Sequence, residues 1–288
     1  MPAEIDLDAL RRNIGRTMSV TDTVSAVPAN LNILVFDLDM APLAAGDPLP
    51  EGWHNLYFLP AFRRDALGAD GTPKDTGVIP EMPLPRRMYA GERLRFHAPL
   101  RIGDEVRRDT ELLDISAKSG STGTLVFATV INRFHTPEGL ALEEERDTVF
   151  REEVAGGATN AVPKREGPPA DLPWRRTVTP DPVNLFRYSA LTFNGHRIHY
   201  DRAYATEAEG YPGLVVHGPF TSSLLINFAR DNNPGRRMIS YEMRAKAPLF
   251  DIAPIELVGG PTGDGGQCAV WAVTPEGGIA MAAQAGFE

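Results

Sequence analysis

Two stretches of this chain, "RLRFHAPLRIGDEV" (93–106) and "EMRAKAPLFDIAPIEL" (242–257), carry the same Ala-Pro-Leu triplet about half the chain apart. Laying Ala98-Pro99-Leu100 on Ala247-Pro248-Leu249 is a shift of 149 residues (247 minus 98), and it also places Arg95 on Arg244. Short identities alone constrain little. The runs downstream of each triplet constrain more: "TELLDIS" and "GTLVFATVINRF" in the first half, "PIELVGG", "QCAVWAVT" and "IAMAAQAGF" in the second. Runs of Val, Ile, Phe and Thr bounded by Gly, Asp and Ser read as antiparallel strands. The matching order of elements predicts an internal duplication of one sheet-bearing unit.

Between the copies, residues 154–173 read "VAGGATNAVPKREGPPADLP", a stretch without amphipathic period and therefore a linker by composition. The expected organisation is a first domain over 1–153, a linker over 154–173 and a second domain over 174–288. Helical signals are few. "DLDALRRNIGR" near the start has apolar residues at helical spacing. The clearest helix is "GPFTSSLLINFARDN" (218–232), where Pro219 suits a first turn and Leu224, Leu225 and Phe228 form one apolar stripe. The class is α+β, with an antiparallel sheet wrapped around a buried helix.

The formal charge of −9 and pI near 5.3 argue against a general nucleic-acid binder, which would show a basic face. They leave room for an anionic ligand held by a local group of arginines. The start, "MPAEIDLDALRRNIG", lacks the apolar core of a secretory signal, and no apolar run reaches the ~18 residues that a membrane span needs. The single cysteine, Cys268, allows no internal disulfide and fits a reducing cytoplasm. Its setting in "GQCAVWAV" predicts a packed small residue.

The chemistry concentrates in "LTFNGHRIHYD" (191–201), with His196 and His199, and in "VVHGPF" (215–220), with His217. A metal reading would bring the three histidines together with Asp201, but without the glutamate-bearing helix of common zinc hydrolases. A serine triad lacks the G-x-S-x-G elbow, and Ser222 and Ser223 lie a turn into a helix. Taken alone, His196 and His217 read as structural histidines bonded to backbone carbonyls. His199 differs, because apolar Ile198 beside it and Asn194 five residues earlier suggest a bend that aims both polar groups at one volume. No metal is expected there.

"YSALTFNGHRIHYDRAYA" (188–205) followed by "YPGLVVHGPF" (211–220) resembles the hydratase motif of the MaoC-like, hot-dog-fold thioester hydratases. Asn194 falls at that motif's aspartate, His199 at its histidine, and His217-Gly218 at the turn into the central helix. The resemblance is closest to the branch of mesaconyl-CoA and itaconyl-CoA hydratases and type 2 hydroxyacyl-thioester dehydratases. "PLPRRMYAGERLRFHAPLRIGD" (83–104) extends it into the first half. It implies a double hot-dog, two fused domains with one active site, in which the first half serves as a pocket wall. Asn194 for aspartate, and His196-Arg197 for Asn-Pro, depart from the parent motif in a way the branch shares.

The implied reaction adds water across an enoyl thioester. His199 would be acid and base, Asn194 would orient the water through its carbonyl, and the Gly218 amide would receive the charge developing on the thioester oxygen. The expected ligand is an acyl-CoA with a short branched or dicarboxylic acyl group, and no separate cofactor is expected. Arg86 and Arg87, or Arg236 and Arg237, are candidates for CoA phosphates, and Arg197 or Arg187 for an acyl carboxylate. His196 and His217 are further candidates for substrate contact. Asp47 and His54 in "GDPLPEGWH" read as a coincidence or as a loop over the pocket. Rival readings are a dehydratase of longer hydroxyacyl-CoA or carrier-protein thioesters and a non-catalytic acyl-CoA binder. A thioesterase would need a carboxylate along the helix, and none precedes Asp231. A homodimer is possible, since such sheets pair edge to edge.

Overall fold

The computed structural model describes residues 5–59, 61–120, 123–152, 166–263 and 265–288. In chain order the elements are α1 (Leu7–Arg11), β1 (Thr17–Thr23), α2 (Ala26–Val35), β2 (Arg86–Phe96), β3 (Glu105–Gly120), β4 (Gly123–Thr136) and β5 (Gly139–Arg151). Then come β6 (Trp174–Val178), α3 (Pro182–Leu191), α4 (Gly218–Asp231), β7 (Met238–Ala245), β8 (Ile255–Thr262), β9 (Gln267–Val273) and β10 (Ile279–Phe287). Most of the proposed linker, 154–165, lies outside the described residues, and 166–173 contains no regular element.

Among the described residues ten strands form one antiparallel sheet in the order β1-β3-β4-β5-β2-β7-β10-β9-β8-β6. The order is a palindrome once β1 is matched with β6, β2 with β7, β3 with β8, β4 with β9 and β5 with β10. The halves meet at β2 and β7, and the central pair of that seam, Arg93 opposite Glu242, is separated by 149 residues (242 minus 93). The shift that superposes the Ala-Pro-Leu triplets therefore generates the seam itself. Duplication explains the ladder: two copies joined through the same strand must pair antiparallel about a local twofold.

Helix α4 is buried along the whole of Phe220–Ala229 with no exposed side, which makes it a core helix rather than a surface one. It lies across the strands of the second half. The first half differs from its copy. The corresponding place is taken by a single 3-10 turn, Trp53–Leu56, whose Trp53 and Leu56 are buried in the same core as α4. Helix α2 packs mainly on α3 instead. The expected early helix forms as α1, only five residues long, capped by the Asp6 carboxylate accepting from the Ala9 amide at 2.8 Å. Cys268 is fully buried, and burial pushes its thiol up to about 11, so it behaves as the packed residue expected. Among the described residues no helix is long and apolar enough to cross a membrane.

Candidate active site

Helix α3 begins where Asp181 accepts from the amides of Val183 and Asn184 and Pro182 occupies the first turn. It ends at Thr192, and Phe193, with φ of 50°, turns the chain sharply. The Asn194 side-chain oxygen then accepts from the His196 amide at 3.0 Å, an Asx turn that leads into one 3-10 turn, Arg197–His199. A loop of the first half fastens this segment. The Arg197 amide donates to the Asp70 carbonyl at 2.8 Å, and Gly71, at φ of 85°, lies so close that a Cβ there would sit 2.0 Å from the Gly195 carbonyl oxygen. Only glycine fits that approach.

His199 is 7% exposed, and its Nδ1 lies 2.7 Å from the Val215 carbonyl oxygen. A carbonyl can only accept, so Nδ1 carries the hydrogen and Nε2 is an unprotonated acceptor. Nε2 has no protein partner among the described residues. Behind it stacks His217, with ring centroids 3.7 Å apart and planes at 20°. His217 is fully buried, bonded through Nε2 to the Ser189 hydroxyl at 2.8 Å and packed edge-on against Tyr188. Burial, helped by the neighbouring His196, pulls the His199 pKa down to about 3. Burial likewise holds His217 well below the usual imidazole value. Two stacked neutral rings are thus the resting state.

Gly218 opens α4, and its amide has no acceptor among the described residues. A Cβ at this position would stand 2.5 Å from Cδ1 of Tyr89 on β2, so glycine is what allows the first half to close over the helix start. One cleft of about 1870 Å³ runs between the halves, room for a CoA-sized ligand rather than an acyl group alone. Asn194, His196, His199, Gly218, Arg86 and Arg87 line it.

Other candidates lie elsewhere. His217 supports His199 from behind and does not reach the cleft. Arg197 is occupied: two of its nitrogens donate to Asp201 at 3.0 and 2.8 Å, a third donates to the Ala69 carbonyl, and its guanidinium lies 4.1 Å from the centre of the Tyr204 ring. Arg187 is exposed on α3, away from the cleft. Arg236 bonds the carbonyls of Gly265 and Phe287, while Arg237 bonds Glu288 and Phe96, so both brace the end of the sheet. Asp47 caps a local turn by accepting from the Ala44 amide, whereas His54 is buried on the cleft, so the two make no pair.

Sequence reasoning missed a buried polar network in the first half. Glu144 accepts from Asn132 at 2.7 Å and from Arg146, which also reaches Glu92 at 3.2 Å. Glu92 in turn accepts from Ser222 of α4 at 3.3 Å, tying the halves together. Burial and the adjacent Glu144 charge push Glu92 up. At Glu144 burial acts the same way, but the Arg146 charge and its hydrogen bonds more than offset it and hold the carboxyl ionised. A signal existed in "LEEERDT" (142–148), where strand alternation sends Glu144 and Arg146 inward and Glu143 and Glu145 outward. His54, Glu92 and Glu144 could by spacing hold a cation, but the guanidinium of Arg146 already occupies that role.

The sheet and its buried helix are those of the double hot-dog class. The chain is similar over its whole length to a MaoC-like dehydratase from Phytophthora capsici (TM-score 0.71, 15% identity, 99% of both chains). It is also similar to a Mycobacterium tuberculosis protein with a double hotdog fold (TM-score 0.52, 16% identity, 98% of both chains). At these identities the likeness is one of fold. Residues 52–251 match the family model of hydroxyacyl-thioester dehydratase type 2, and the chain belongs to that family. Within reach of sequence comparison, it is 45% identical over 270 residues to the mesaconyl-C(4)-CoA hydratase of Chloroflexus aurantiacus, covering 94% of this chain and 95% of the relative.

Proposed function

We propose that this protein reversibly hydrates a short α,β-unsaturated acyl-CoA, with His199 as its single acid–base group. The observation that carries the reading is the tether from Nδ1 to Val215, which leaves a neutral Nε2 beside Gly218 and Asn194 in one cleft. Nε2 takes a proton from water as the water oxygen bonds to Cβ. The π electrons move onto the thioester oxygen, where the Gly218 N–H at the helix start meets the charge. The imidazolium then returns its proton to Cα, giving syn addition. Because the Asn194 oxygen already accepts from the His196 amide, its free NH2 rather than its carbonyl is assigned to the water, engaging the lone pair that does not attack. No separate cofactor or metal takes part in this scheme.

The name of the Chloroflexus relative supports a short dicarboxylic acyl group. The polar side chains that the first half brings to the cleft, His54, Asn132, Glu144 and Arg146, are compatible with such a group. The family name, together with Met18, Phe58, Val78, Ile79, Leu84 and Phe127 on the first-half side of the cleft, favours a second reading, dehydration of longer hydroxyacyl thioesters. The test is a panel of crotonyl-, mesaconyl-C4- and longer enoyl-CoA substrates, followed at the enoyl-thioester absorbance together with free thiol. Loss of absorbance without thiol release, strongest on short acyl groups, is expected. Binding without turnover would sink the enzyme reading, thiol release would make the protein a thioesterase, and preference for long chains would favour the rival lyase.

The tether and the burial also set a pH dependence. A base must be unprotonated to act, and a pKa lowered from 6.5 to about 3 keeps His199 neutral through the mildly acidic range. Wild-type kcat/KM on crotonyl-CoA should therefore stay level between pH 7.5 and 5, where an ordinary histidine would lose most of its base form. An acid limb centred near 6.5 would contradict the buried, desolvated state of this ring.

A further inference from the structure

We propose that Arg87 is the specificity-determining cation of the cleft, which grips a free carboxylate on the acyl group and so selects dicarboxylic enoyl-CoA thioesters. The inference rests on the hydratase reading above and assigns that site its substrate filter.

The case begins with elimination among the cationic side chains that line the cleft. Arg86 is committed to Glu209, at 2.9 Å to the carboxylate and 3.4 Å to the carbonyl. Arg146 is shared between Glu92 and Glu144. Arg108 lies over the Phe58 ring and donates to the Phe58 carbonyl, and Arg151 is likewise partnered. Arg64, Lys74 and Lys246 are exposed at the rim, placed for the solvated phosphates of CoA rather than for an acyl group. Arg87 remains. It is half-buried, lines the cleft, and has no hydrogen-bond or ion-pair partner among the described residues. A guanidinium that faces the cleft with no paired anion offers a carboxylate two parallel N–H···O bonds.

Its position fits the acyl end. Arg87 and Tyr89 are two apart on β2 and so share a face, roughly 7 Å apart along the strand. Tyr89 is the residue that touches Gly218, where the thioester oxygen is assigned. The charge of Arg87 also acts on His196, whose ring packs 5.4 Å from that of His199. Arg87 therefore stands near both the oxyanion amide and the base, on the first-half side of the cleft. Burial and the charge of Arg146 lower its pKa against the opposite pull of the Asp70 carboxylate, and an incoming carboxylate adds to that pull.

The experiment compares mesaconyl-C4-CoA, the same thioester methyl-esterified at its free carboxylate, and crotonyl-CoA, with wild type, Arg87→Gln and Arg87→Lys. For wild type, kcat/KM on the free acid should exceed that on the methyl ester by roughly tenfold to a hundredfold, the scale of one charged contact. Arg87→Gln should collapse that ratio toward one, chiefly through KM, and Arg87→Lys should restore part of it. Equal wild-type rates on acid and ester would overturn the proposal without any variant having to fold. A ratio in Arg87→Gln equal to that of wild type would also overturn it, since a CoA-phosphate contact would slow all three substrates alike. Absence of turnover on all three by wild type is a different result, the failure of the hydratase reading itself.

Discussion

Replacing His199 by alanine is expected to lower kcat/KM on crotonyl-CoA by roughly 10²–10⁴-fold, the range for one positioned acid–base group. The upper part of that range is favoured here. Among the described residues that line the cleft beside Gly218, the other imidazoles are His54 and His196, and neither is held by a backbone carbonyl acceptor as His199 is. His217 cannot substitute, being fully buried behind the ring it supports. Loss of the side chain would also leave the Val215 carbonyl without its donor, a destabilisation of about 1–3 kcal/mol. Rates must therefore be measured per folded molecule, with the unfolding transition of each variant recorded beside them. His199→Asn, whose amide nitrogen falls where Nδ1 does, can replace the bond to Val215 but cannot accept and return a proton, so it should recover stability without recovering rate. A folded His199→Ala protein within a few-fold of wild type would remove the proposed base.

Much of this architecture was legible in the chain, and the reason is its duplication. A repeat has to satisfy strand pairing twice, so the Ala-Pro-Leu copies and the runs after them marked both the sheet and its seam. The placing of the candidate site was legible for a related reason: Asn194, His199 and Gly218 are brought to one cleft by local backbone geometry, an Asx turn, a 3-10 turn and a helix start, which short motifs encode. What stayed hidden depends on contacts between distant segments. Nothing near Trp53 announces that a single turn replaces a helix there, because that depends on how residues 61–85 pack against the first half. The partners of Arg197, Arg236 and Arg237 are set by tertiary packing, so Arg87, unpaired among the described residues, could not be told from the tied arginines by sequence. The inward pair Glu144 and Arg146 was readable from strand alternation, yet five successive charged residues in a strand invite the assumption of a solvated face.

That buried network yields the second large effect. Arg146→Ala should destabilise the protein by about 3 kcal/mol at pH 7.5, the low end of the ~3–5 kcal/mol typical when one partner of a buried ion pair is removed. The low end applies because the Arg146 side chain keeps 31% exposure to the cleft, whereas that of Glu144 has 3%. The pH dependence fixes the cause. In the parent, Arg146 holds Glu144 below the ordinary carboxylate pKa, so the pair stabilises above the unfolded pKa and that gain is lost as pH falls through the folded one. In the variant, burial and the nearby Glu92 push Glu144 the other way, and an ionised Glu144 destabilises increasingly as pH rises. The gap between the two proteins should hence narrow from pH 7.5 to pH 5 in denaturant titrations. Combining Arg146→Met with Glu144→Gln should recover part of the loss at pH 7.5, because the orphan charge at Glu144 and the empty volume are removed while Glu92, whose carboxyl burial pushes up, still loses its cation. A gap independent of pH, together with a double variant as unstable as Arg146→Ala, would mean that Arg146 stabilises through packing against Tyr89 rather than by neutralising the carboxylates.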